Sequence, residues 1–437
     1  MSGIEIGLIS LVAMVALIFA GMYVPVVLAL VSFVSVWAMR GDVDLAIKLL
    51  GLATENSLSS YLFGVVPLFV LMGLLVSVSE IGKDTFEIAN WAFGGLKGGL
   101  GIATVAANAV FASITGISIA SAAVFTKVAV PEMLRFGYTP KFAVGVVAGS
   151  SVLGMLIPPS LLMIVYGLLA DVSIGDMFIA GIIPGTVLAL AYAVGIIFMA
   201  TRYPAQVGGT ESVETAGHRP MTVMAFSAKI SPIVILVIVV LGGIYGGVFT
   251  PTEAGAAGAL GALVLAIAKR RLNWTTFWQV LVETGHVTAS VLLLVLGATM
   301  YSRMLALSGL PSFLGTWMAN AGLEFHWLIA IFVITVILMG TVLDSISIML
   351  VLLPLIFPVL ISMDVNLIWF GIVTIVAVEI GLLTPPFGLA VYIIKSTLDD
   401  ARISLMDIFI GAFPFAVIML LVLLLIIAVP SLSLLLL

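Results

Sequence analysis

Apolar residues run along this chain in long continuous stretches separated by short polar ones, from Ile4 to the terminal leucines. A stretch of about 20 apolar residues crosses the hydrocarbon core of a bilayer as one helix. The strict alternation of a membrane β-barrel is missing, and continuous apolar runs satisfy their backbone hydrogen bonds only as helices. The pattern predicts an all-α polytopic membrane protein with about 10 to 12 spans plus shorter broken segments.

Composition strengthens this class and removes several others. Hydrophobic residues make up 63% of the chain and charged residues 8%, with a mean hydropathy of +1.35, which excludes a water-soluble fold. The absence of cysteine excludes disulfides and thiolate metal sites. The expected surroundings of so apolar a chain are the lipid bilayer. No basic patch suited to nucleic acid is visible. The first run, Ile4–Ala38, lacks the basic flank and cleavage site of a signal peptide and is expected to stay in the mature protein.

Charge placement predicts the topology near the middle of the chain. The long polar stretch Thr201–Lys229 and the next polar loop, Lys269–Arg271, are both basic. By the positive-inside tendency both face the cytoplasm. The segment between them must leave and return, and we expect its turn in the Pro/Gly-rich region Thr250–Gly258.

The two halves of the chain carry the same three sequence blocks in the same order. In each half a Gly/Ser/Thr-rich interruption is followed about 43 residues later by a double proline, and then by a segment beginning with Asp. The blocks are SITGISIASAA (Ser113–Ala123), LIPPSLLMIVYG (Leu156–Gly167) and DMFIAGIIP (Asp176–Pro184) in the first half, and MGTVLDSISIM (Met339–Met349), LLTPPFGLAVYII (Leu382–Ile394) and DIFIGAFP (Asp407–Pro414) in the second.

The double prolines predict helices that are interrupted inside the membrane. Proline at the first turn of a helix loses no hydrogen bond, so Pro158-Pro159 and Pro385-Pro386 are expected to start half-helices after unwound stretches. Helix starts suit a carboxylate, and unwound carbonyls suit a small cation. The alternative is that small residues only permit close packing and that prolines only kink. Matched breaks in both halves favour a functional role.

Two carboxylates fall within predicted spans. Asp344, beside Thr341, is the strongest candidate for a cation site, and Glu379 is the second. The alternative for Asp344 is a buried pair with a Lys or Arg elsewhere in the bundle. Four basic residues are expected to lie at helix ends, where they snorkel or face the cytoplasm: Lys127, Arg135, Arg303 and Lys395. For Arg303 alone the alternative is contact with a substrate carboxylate.

Enzymatic readings find weaker support. No His has a His or Cys neighbour at metal-ligand spacing, so His218, His286 and His326 are expected to be structural. Ser118, within Gly116-Ile117-Ser118, remains a remote candidate for an intramembrane serine hydrolase, with His286 or His326 as the base. That reading ignores the repeat.

These stretches, taken together, resemble a known family over nearly the whole chain. The family is the DctM-like large membrane subunit (M subunit) of the tripartite ATP-independent periplasmic (TRAP) transporters. The resemblance rests on segments in both halves: SITGISIASAAV (Ser113–Val124), PEMLRFGYTPKFA (Pro131–Ala143), LIPPSLLMIVYG (Leu156–Gly167), SIGDMFIAGIIPG (Ser173–Gly185), GGIYGGVFTPTEAGAAGA (Gly242–Ala259), MGTVLD (Met339–Asp344) and LLTPPFGLAVYIIK (Leu382–Lys395).

The resemblance implies two inverted repeats with re-entrant hairpins and broken helices, in an elevator-type transporter of the ion transporter superfamily. The corresponding division is N-terminal scaffold helices (1–60), a first repeat (61–200), a cytoplasmic loop with a central scaffold hairpin (201–285) and a second repeat (286–437). Each repeat is expected to hold one re-entrant hairpin and one broken helix.

The resemblance also implies a function. It is Na⁺-coupled secondary active import of a small organic acid, such as a C4-dicarboxylate or sialic acid, across the bacterial inner membrane, with Na⁺ as coupling ion and no other cofactor. Expected partners are a separate small four-span membrane subunit and a periplasmic substrate-binding protein. The principal alternative is an ion-coupled organic-anion carrier that works without a binding protein.

By resemblance, the hairpin tips and the loops at the double prolines form the ion and substrate sites. Some relatives carry Asn where this chain has Ala390, which leaves the substrate open. The candidate Na⁺ ligands are Thr115, Gly116, Gly340, Thr341 and Asp344. The complete set of candidate site residues adds Ser113, Ser118, Ser150, Pro158, Pro159, Thr384, Pro385 and Pro386.

Overall fold

The computed structural model describes residues 1–207, 221–320, 325–398, 400 and 402–437, and every regular element in this part is a helix. Within these residues, six helices are long and apolar enough to cross a bilayer, or eight if each of two bent pairs counts as one span. The expected 10 to 12 spans are therefore too many by this measure. The reason is that five further apolar helices have only 16 or 17 residues.

The N-terminal part contains five helices. Helix α4 meets α5 at an angle of 64°, and Glu80, between them, has the left-handed φ of 58°. The bounds are α1 Gly3–Phe19, α2 Val24–Arg40, α3 Val43–Leu58, α4 Val65–Val78 and α5 Ile81–Phe93, with a short 3₁₀ turn at Tyr61–Gly64.

A hairpin and a broken helix follow in the first half. Helices α6 and α7 form the first hairpin, and α8, α9 and α10 form the first broken helix. One long helix, α11, follows and ends the first half. The bounds are α6 Gly99–Thr115, α7 Ser118–Arg135, α8 Pro140–Ser151, α9 Leu153–Leu156, α10 Leu161–Ala170 and α11 Ile174–Arg202.

The central part forms two helices joined by a turn, and the turn lies slightly earlier than predicted. It spans residues 246–250, whereas most of the expected region Thr250–Gly258 belongs to the next helix, which Thr250 and Glu253 cap. Lys229 lies inside α12, so the polar stretch ends earlier than the sequence suggested. The helices are α12 Val223–Tyr245, which contains a π-helical turn at Ile238–Gly242, α13 Pro251–Ala268, α14 Trp274–Ser308 and α15 Leu310–Asn320.

The second half repeats the plan of the first. Helices α16 and α17 form the second hairpin, α18 and α19 form the second broken helix, and α20 corresponds to α11. The bounds are α16 Phe325–Gly340, α17 Ser345–Ser362, α18 Leu367–Leu382, α19 Leu389–Thr397 and α20 Leu405–Ala428, followed by the short α21 Ser431–Leu434.

Contacts at the helix ends show that the halves are inverted. The Thr139 N–H donates to the Gln206 carbonyl at 2.9 Å, which places the end of α11 beside the start of α8. Lys141, also at the start of α8, pairs with Asp407 at 3.1 Å, at the start of α20. The corresponding helices α11 and α20 therefore run in opposite directions.

The two hairpins enter from opposite faces of the molecule. Helix α7 ends just before Tyr138, which bridges to Val207 beside the end of α11. The base of the second hairpin lies at the other face, because the Phe325 ring packs on Trp369 and the Trp369 Nε1 donates to the Ile426 carbonyl at 3.0 Å, near the end of α20. The positive-inside tendency predicts that the first hairpin enters from the cytoplasm.

Each broken helix packs against the hairpin of the other half. Helix α10 contacts α17, and α19 contacts α7. The Tyr166 hydroxyl on α10 also donates to the Leu367 carbonyl at the start of α18, at 2.6 Å. The halves are therefore interleaved and share one apolar core.

Ion pairs attach α5 to the central helices on the basic side. Asp84 and Glu87 pair with Lys229, and Asp84 also pairs with Lys269. Glu80 pairs with Arg271 at 2.8 Å. Because the opposite face of α5 packs on α6 and α7, this helix connects the first hairpin to the central helices.

Candidate functional site

The tip of the first hairpin closes directly on the first broken helix. Gly116 ends α6 with a left-handed φ of +64°, and its carbonyl accepts the Leu161 N–H at 3.1 Å. A methyl group at Gly116 would lie 2.5 Å from the Pro159 carbonyl oxygen. Glycine is therefore required both by the backbone conformation and by the close approach.

The second tip meets its own broken helix in the same way. The Thr341 carbonyl accepts the Phe387 N–H at 3.1 Å. One residue earlier, a methyl group on Gly340 would lie 2.8 Å from the Gly381 Cα. In both halves, a hairpin-tip carbonyl is thus bound by a backbone N–H that follows the double proline.

The double prolines lie within the breaks and not at the helix starts. Helix α10 begins at Leu161 and α19 at Leu389, a few residues after the prolines, and both Pro-Pro bonds are cis. The expectation that the prolines open the half-helices is therefore wrong in detail. In each half, the unwound backbone leaves N–H groups without a helical partner. One of these N–H groups, that of Leu161 or Phe387, donates to the hairpin tip of the same half.

Four helix starts surround these breaks, and two of them already have side-chain caps. Ser160 accepts the Met163 N–H at the start of α10, and Asp344 accepts the Ser347 N–H at the start of α17. Helices α7 and α19 follow the N-cap residues Ile117 and Gly388 and have no side-chain cap among the described residues. Their first N–H groups are the ones open to an anion.

The hydroxyl groups of the predicted site retain lone pairs. Thr115 and Thr341 donate to carbonyls one turn back in their own helices, at 2.9 and 2.8 Å. A hydroxyl that donates its proton still accepts through two lone pairs, so it remains able to bind a cation. Ser113 and Thr384 make the same kind of bond, and Ser118 is buried at the start of α7.

One buried polar pair beside the first tip was missed from the sequence. The Asn108 Nδ2 on α6 donates to the Ser150 Oγ on α8 at 2.6 Å, and both residues are fully buried. The Asn108 Oδ1 has no partner among the described residues. Ser150 was predicted, but Asn108 carries no signal beyond being a lone amide in an apolar helix.

The other polar candidates fall into distinct places. Glu379 is buried on α18 and accepts a hydrogen bond from Ser345. Arg303 lies half-buried on α14 and makes no ion pair within the described part of the chain. Among the remaining basic residues, Lys395 donates to the Ile403 carbonyl at 2.6 Å, and Arg135 pairs with Glu132 at 3.8 Å.

The histidines do not gather into a site. His286 lies on an exposed face of α14, His326 is in the first turn of α16, and His218 is outside the described residues. Those residues contain no group of three or more His, Cys, Asp or Glu that could hold a metal ion. A cation at this site would therefore depend on carbonyl and hydroxyl oxygens, with Asp344 as the one carboxylate among the predicted ligands.

Inverted halves, opposed hairpins and helices broken inside an apolar bundle define a polytopic secondary transporter. The model of the family described as "Tripartite ATP-independent periplasmic transporter, DctM component" matches residues 11–432. This chain belongs to that family, as the sequence motifs predicted.

Individual relatives agree with the family. The chain is 30% identical to the C4-dicarboxylate TRAP transporter large permease protein DctM of Rhodobacter capsulatus, over 96% of each chain. It is 30% identical to the sialic acid TRAP transporter large permease protein SiaM of Vibrio cholerae, over 89% of each. The solved YdaH transporter of Alcanivorax borkumensis shares the fold, with a TM-score of 0.56 and 15% identity over 90% of this chain and 88% of that one.

Family membership establishes a coarse function. The chain is a multi-pass inner-membrane protein and a transporter permease, and its named relatives are permeases, which removes the serine hydrolase alternative. Membership of the TRAP large-subunit family implies two partners, a small membrane subunit and a periplasmic binding protein. Relatives act on C4-dicarboxylates, sialic acid and 2,3-diketo-L-gulonate.

Proposed function

We propose that this chain forms the translocation pathway of a Na⁺-coupled importer of a small organic acid, either a C4-dicarboxylate or a related carboxylate such as sialic acid. The observation that supports it most is the matched closure of both hairpin tips on their broken helices, through the Gly116 and Thr341 carbonyls. Such paired breaks concentrate helix ends and free carbonyls near the midplane.

The helix starts support an anionic substrate. Helices α7 and α19 pack against each other, come from different halves and lack side-chain caps among the described residues. Their N–H groups favour negative charge, as helix N-termini do generally. A carboxylate bound there would contact both halves at once, so its affinity would depend on how the two halves are positioned.

The tips support a small cation. The carbonyl and hydroxyl oxygens of Thr115, Gly116, Gly340 and Thr341 are of the type that binds Na⁺, and Asp344 adds a negative charge. Its carboxylate already caps α17, which fixes its orientation while leaving lone pairs available. We infer that cation binding stabilises the second tip against its broken helix.

Movement and partners complete the proposal. We infer that both hairpins and both broken helices move together as one transport domain, because each broken helix packs against the opposite hairpin. Elevator movement of that unit against the remaining helices would carry the substrate across. A small membrane subunit would accompany this chain, and the binding protein would deliver the carboxylate.

The Asp344→Asn variant tests the cation site. Asn caps helices about as well as Asp, so the melting temperature should stay close to wild type. The Na⁺ concentration for half-maximal [¹⁴C]succinate or [³H]sialic acid uptake should rise about tenfold, equivalent to roughly 1.4 kcal/mol. Asp364→Asn, on an exposed turn after α17, is the matched control and should leave Na⁺ dependence unchanged. Unchanged Na⁺ activation in Asp344→Asn would remove Asp344 from the site.

A further inference from the structure

Glu379 is a buried carboxyl that the proposed site leaves unused. It lies on α18 with 0% exposure, less than two helical turns before the break at Pro385. One carboxyl oxygen, Oε1, accepts a hydrogen bond from the Ser345 Oγ at 3.3 Å. The other, Oε2, is buried and has no hydrogen-bond partner among the described residues.

No cationic side chain compensates this carboxyl within the described residues. Glu379 takes part in none of their ion pairs. Tyr192 on α11 lies within electrostatic reach, and its hydroxyl is also buried and without a partner. The helices packed on α18 carry these other titratable groups: Tyr166 on α10, Asp176 and Arg202 on α11, His326 on α16, the cap Asp344 of α17, Tyr392 and Lys395 on α19, and Asp407 on α20.

The basic groups among these have other surroundings. Arg202 lies over the Tyr203 ring at the end of α11, and Lys395 donates to the Ile403 carbonyl. The His326 ring packs edge-on against Phe325 in the first turn of α16. An ionised carboxylate buried in an apolar bundle with no counter-charge is strongly disfavoured. Glu379 therefore needs one positive charge that no neighbouring side chain provides.

We propose that Glu379 binds a single monovalent cation, either a proton or Na⁺, in the state described by this structure. The site uses none of the predicted ligands at the two tips, and among the candidate sites of the described residues it is the one built around a fully buried carboxyl. Its link to transport rests on the proposed function, whereas cation binding itself does not.

The position of Glu379 ties cation binding to the second hairpin. Ser345, which donates to Glu379, is the first residue of α17, so this hydrogen bond joins the hairpin to the broken helix. Nearby, Gly340 and Gly381 approach so closely that a methyl group on either would meet the other's Cα below 3 Å. Separation of α17 from α18 would break the Ser345 contact and admit water to the carboxyl, which would lower its need for the bound cation.

The test uses the purified chain with its small subunit in detergent and needs no transport. Infrared spectra report a protonated carboxyl through its C=O stretch, and ²²Na⁺ binding reports the number of sodium ions per protein. Glu379→Gln keeps the oxygen that accepts from Ser345 and removes the charge, so we expect it to fold. Glu283→Gln, which alters an exposed glutamate on α14, is the matched control.

Either of two results supports the proposal. A protonated-carboxyl band that is present in wild type and lost only in Glu379→Gln identifies the cation as a proton. A stoichiometry that falls by one Na⁺ only in Glu379→Gln identifies it as sodium. Ser345→Ala keeps the carboxyl and should retain the cation. If that cation is a proton, it should be held more tightly, because the carboxylate loses a donor that stabilises its charged form.

The opposite result is equally defined. If Glu379→Gln changes neither the infrared band nor the ²²Na⁺ stoichiometry, Glu379 binds no cation and the proposal is wrong. Failure of uptake in proteoliposomes, with cation binding at Glu379 intact, would instead contradict the proposed transport function. The two failures are thereby distinguishable.

Discussion

The two double-proline breaks have the same backbone plan and very different surroundings. In the first half, Pro158 and Pro159 are buried, and Leu161 is 5% exposed. In the second half, Pro385 and Pro386 are exposed, and Phe387 is 53% exposed. Each break nevertheless donates one backbone N–H to the hairpin tip of its own half, at 3.1 Å. We infer that the first break anchors the site and that the second is where the site opens to its surroundings.

The largest expected effect comes from Gly116→Ala. The new methyl group would meet the Pro159 carbonyl at 2.5 Å in a left-handed backbone, so overpacking and backbone strain together should cost about 2 to 5 kcal/mol. Gly41→Ala has nearly the same φ, +68°, and open space around it, so it isolates the backbone cost of about 1 to 2 kcal/mol. Equal losses of thermal stability in detergent would show that the tip contact is unimportant.

Truncation beside each break tests the difference in burial directly. Leu161→Ala should lower the free energy of unfolding by about 2 to 5 kcal/mol, because it opens a cavity in a packed region. Phe387→Ala should change it by no more than about 0.5 kcal/mol, because that ring is largely exposed. Similar effects in the two variants would contradict an anchored first break and an open second one.

The buried pair beside the first tip has no polar counterpart in the second half, where the positions matching Ser150 are Val376 and Ala377. Ser150→Ala leaves the Asn108 amide unpaired and should cost about 1 to 3 kcal/mol. Adding Asn108→Leu should recover much of that loss, since both polar groups are then absent. Ser151→Ala, whose hydroxyl bonds only its own helix, is the control. A double variant as unstable as the sum of the single ones would rule out coupling.

The smallest expected effect concerns the ion pair that joins the halves at the basic face. Lys141 and Asp407 are partly exposed, so Lys141→Met should cost less than about 1 kcal/mol. Raising the salt concentration should reduce the difference between this variant and wild type. A larger or salt-independent loss would show that the pair helps to hold α8 against α20.

Much of this fold could be predicted from the sequence, because the repeated blocks consist largely of residues that interrupt helices. Gly and Pro report local conformation directly, so the matched blocks located both tips and both breaks, and a separate Pro/Gly-rich stretch indicated the turn before α13. The span count failed because several helices of the bundle are shorter than a full crossing. The exact helix starts failed because proline tolerates both the unwound stretch and the first turn.

The features missed from the sequence depend on contacts between distant segments. The approach of Asn108 to Ser150, the bond from Tyr166 to Leu367 and the orphaned oxygen of Glu379 each require the packing of different helices. The contrast between the buried and the exposed double proline has the same origin, since the two sequence blocks are alike. Opposed hairpin directions, by contrast, were implied by the family resemblance, and the contacts at the helix ends confirm them.

The most direct test of the central claim is uptake of a radiolabelled carboxylate panel, including C4-dicarboxylates and sialic acid, into proteoliposomes. These should contain this chain and its small subunit, with and without binding protein, under an inward Na⁺ gradient. Uptake that requires both the gradient and the binding protein is the predicted result, and it would name the substrate. Na⁺-driven uptake that is independent of the binding protein would contradict the tripartite mechanism and favour the simpler carrier, and uptake that ignores the gradient would contradict Na⁺ coupling.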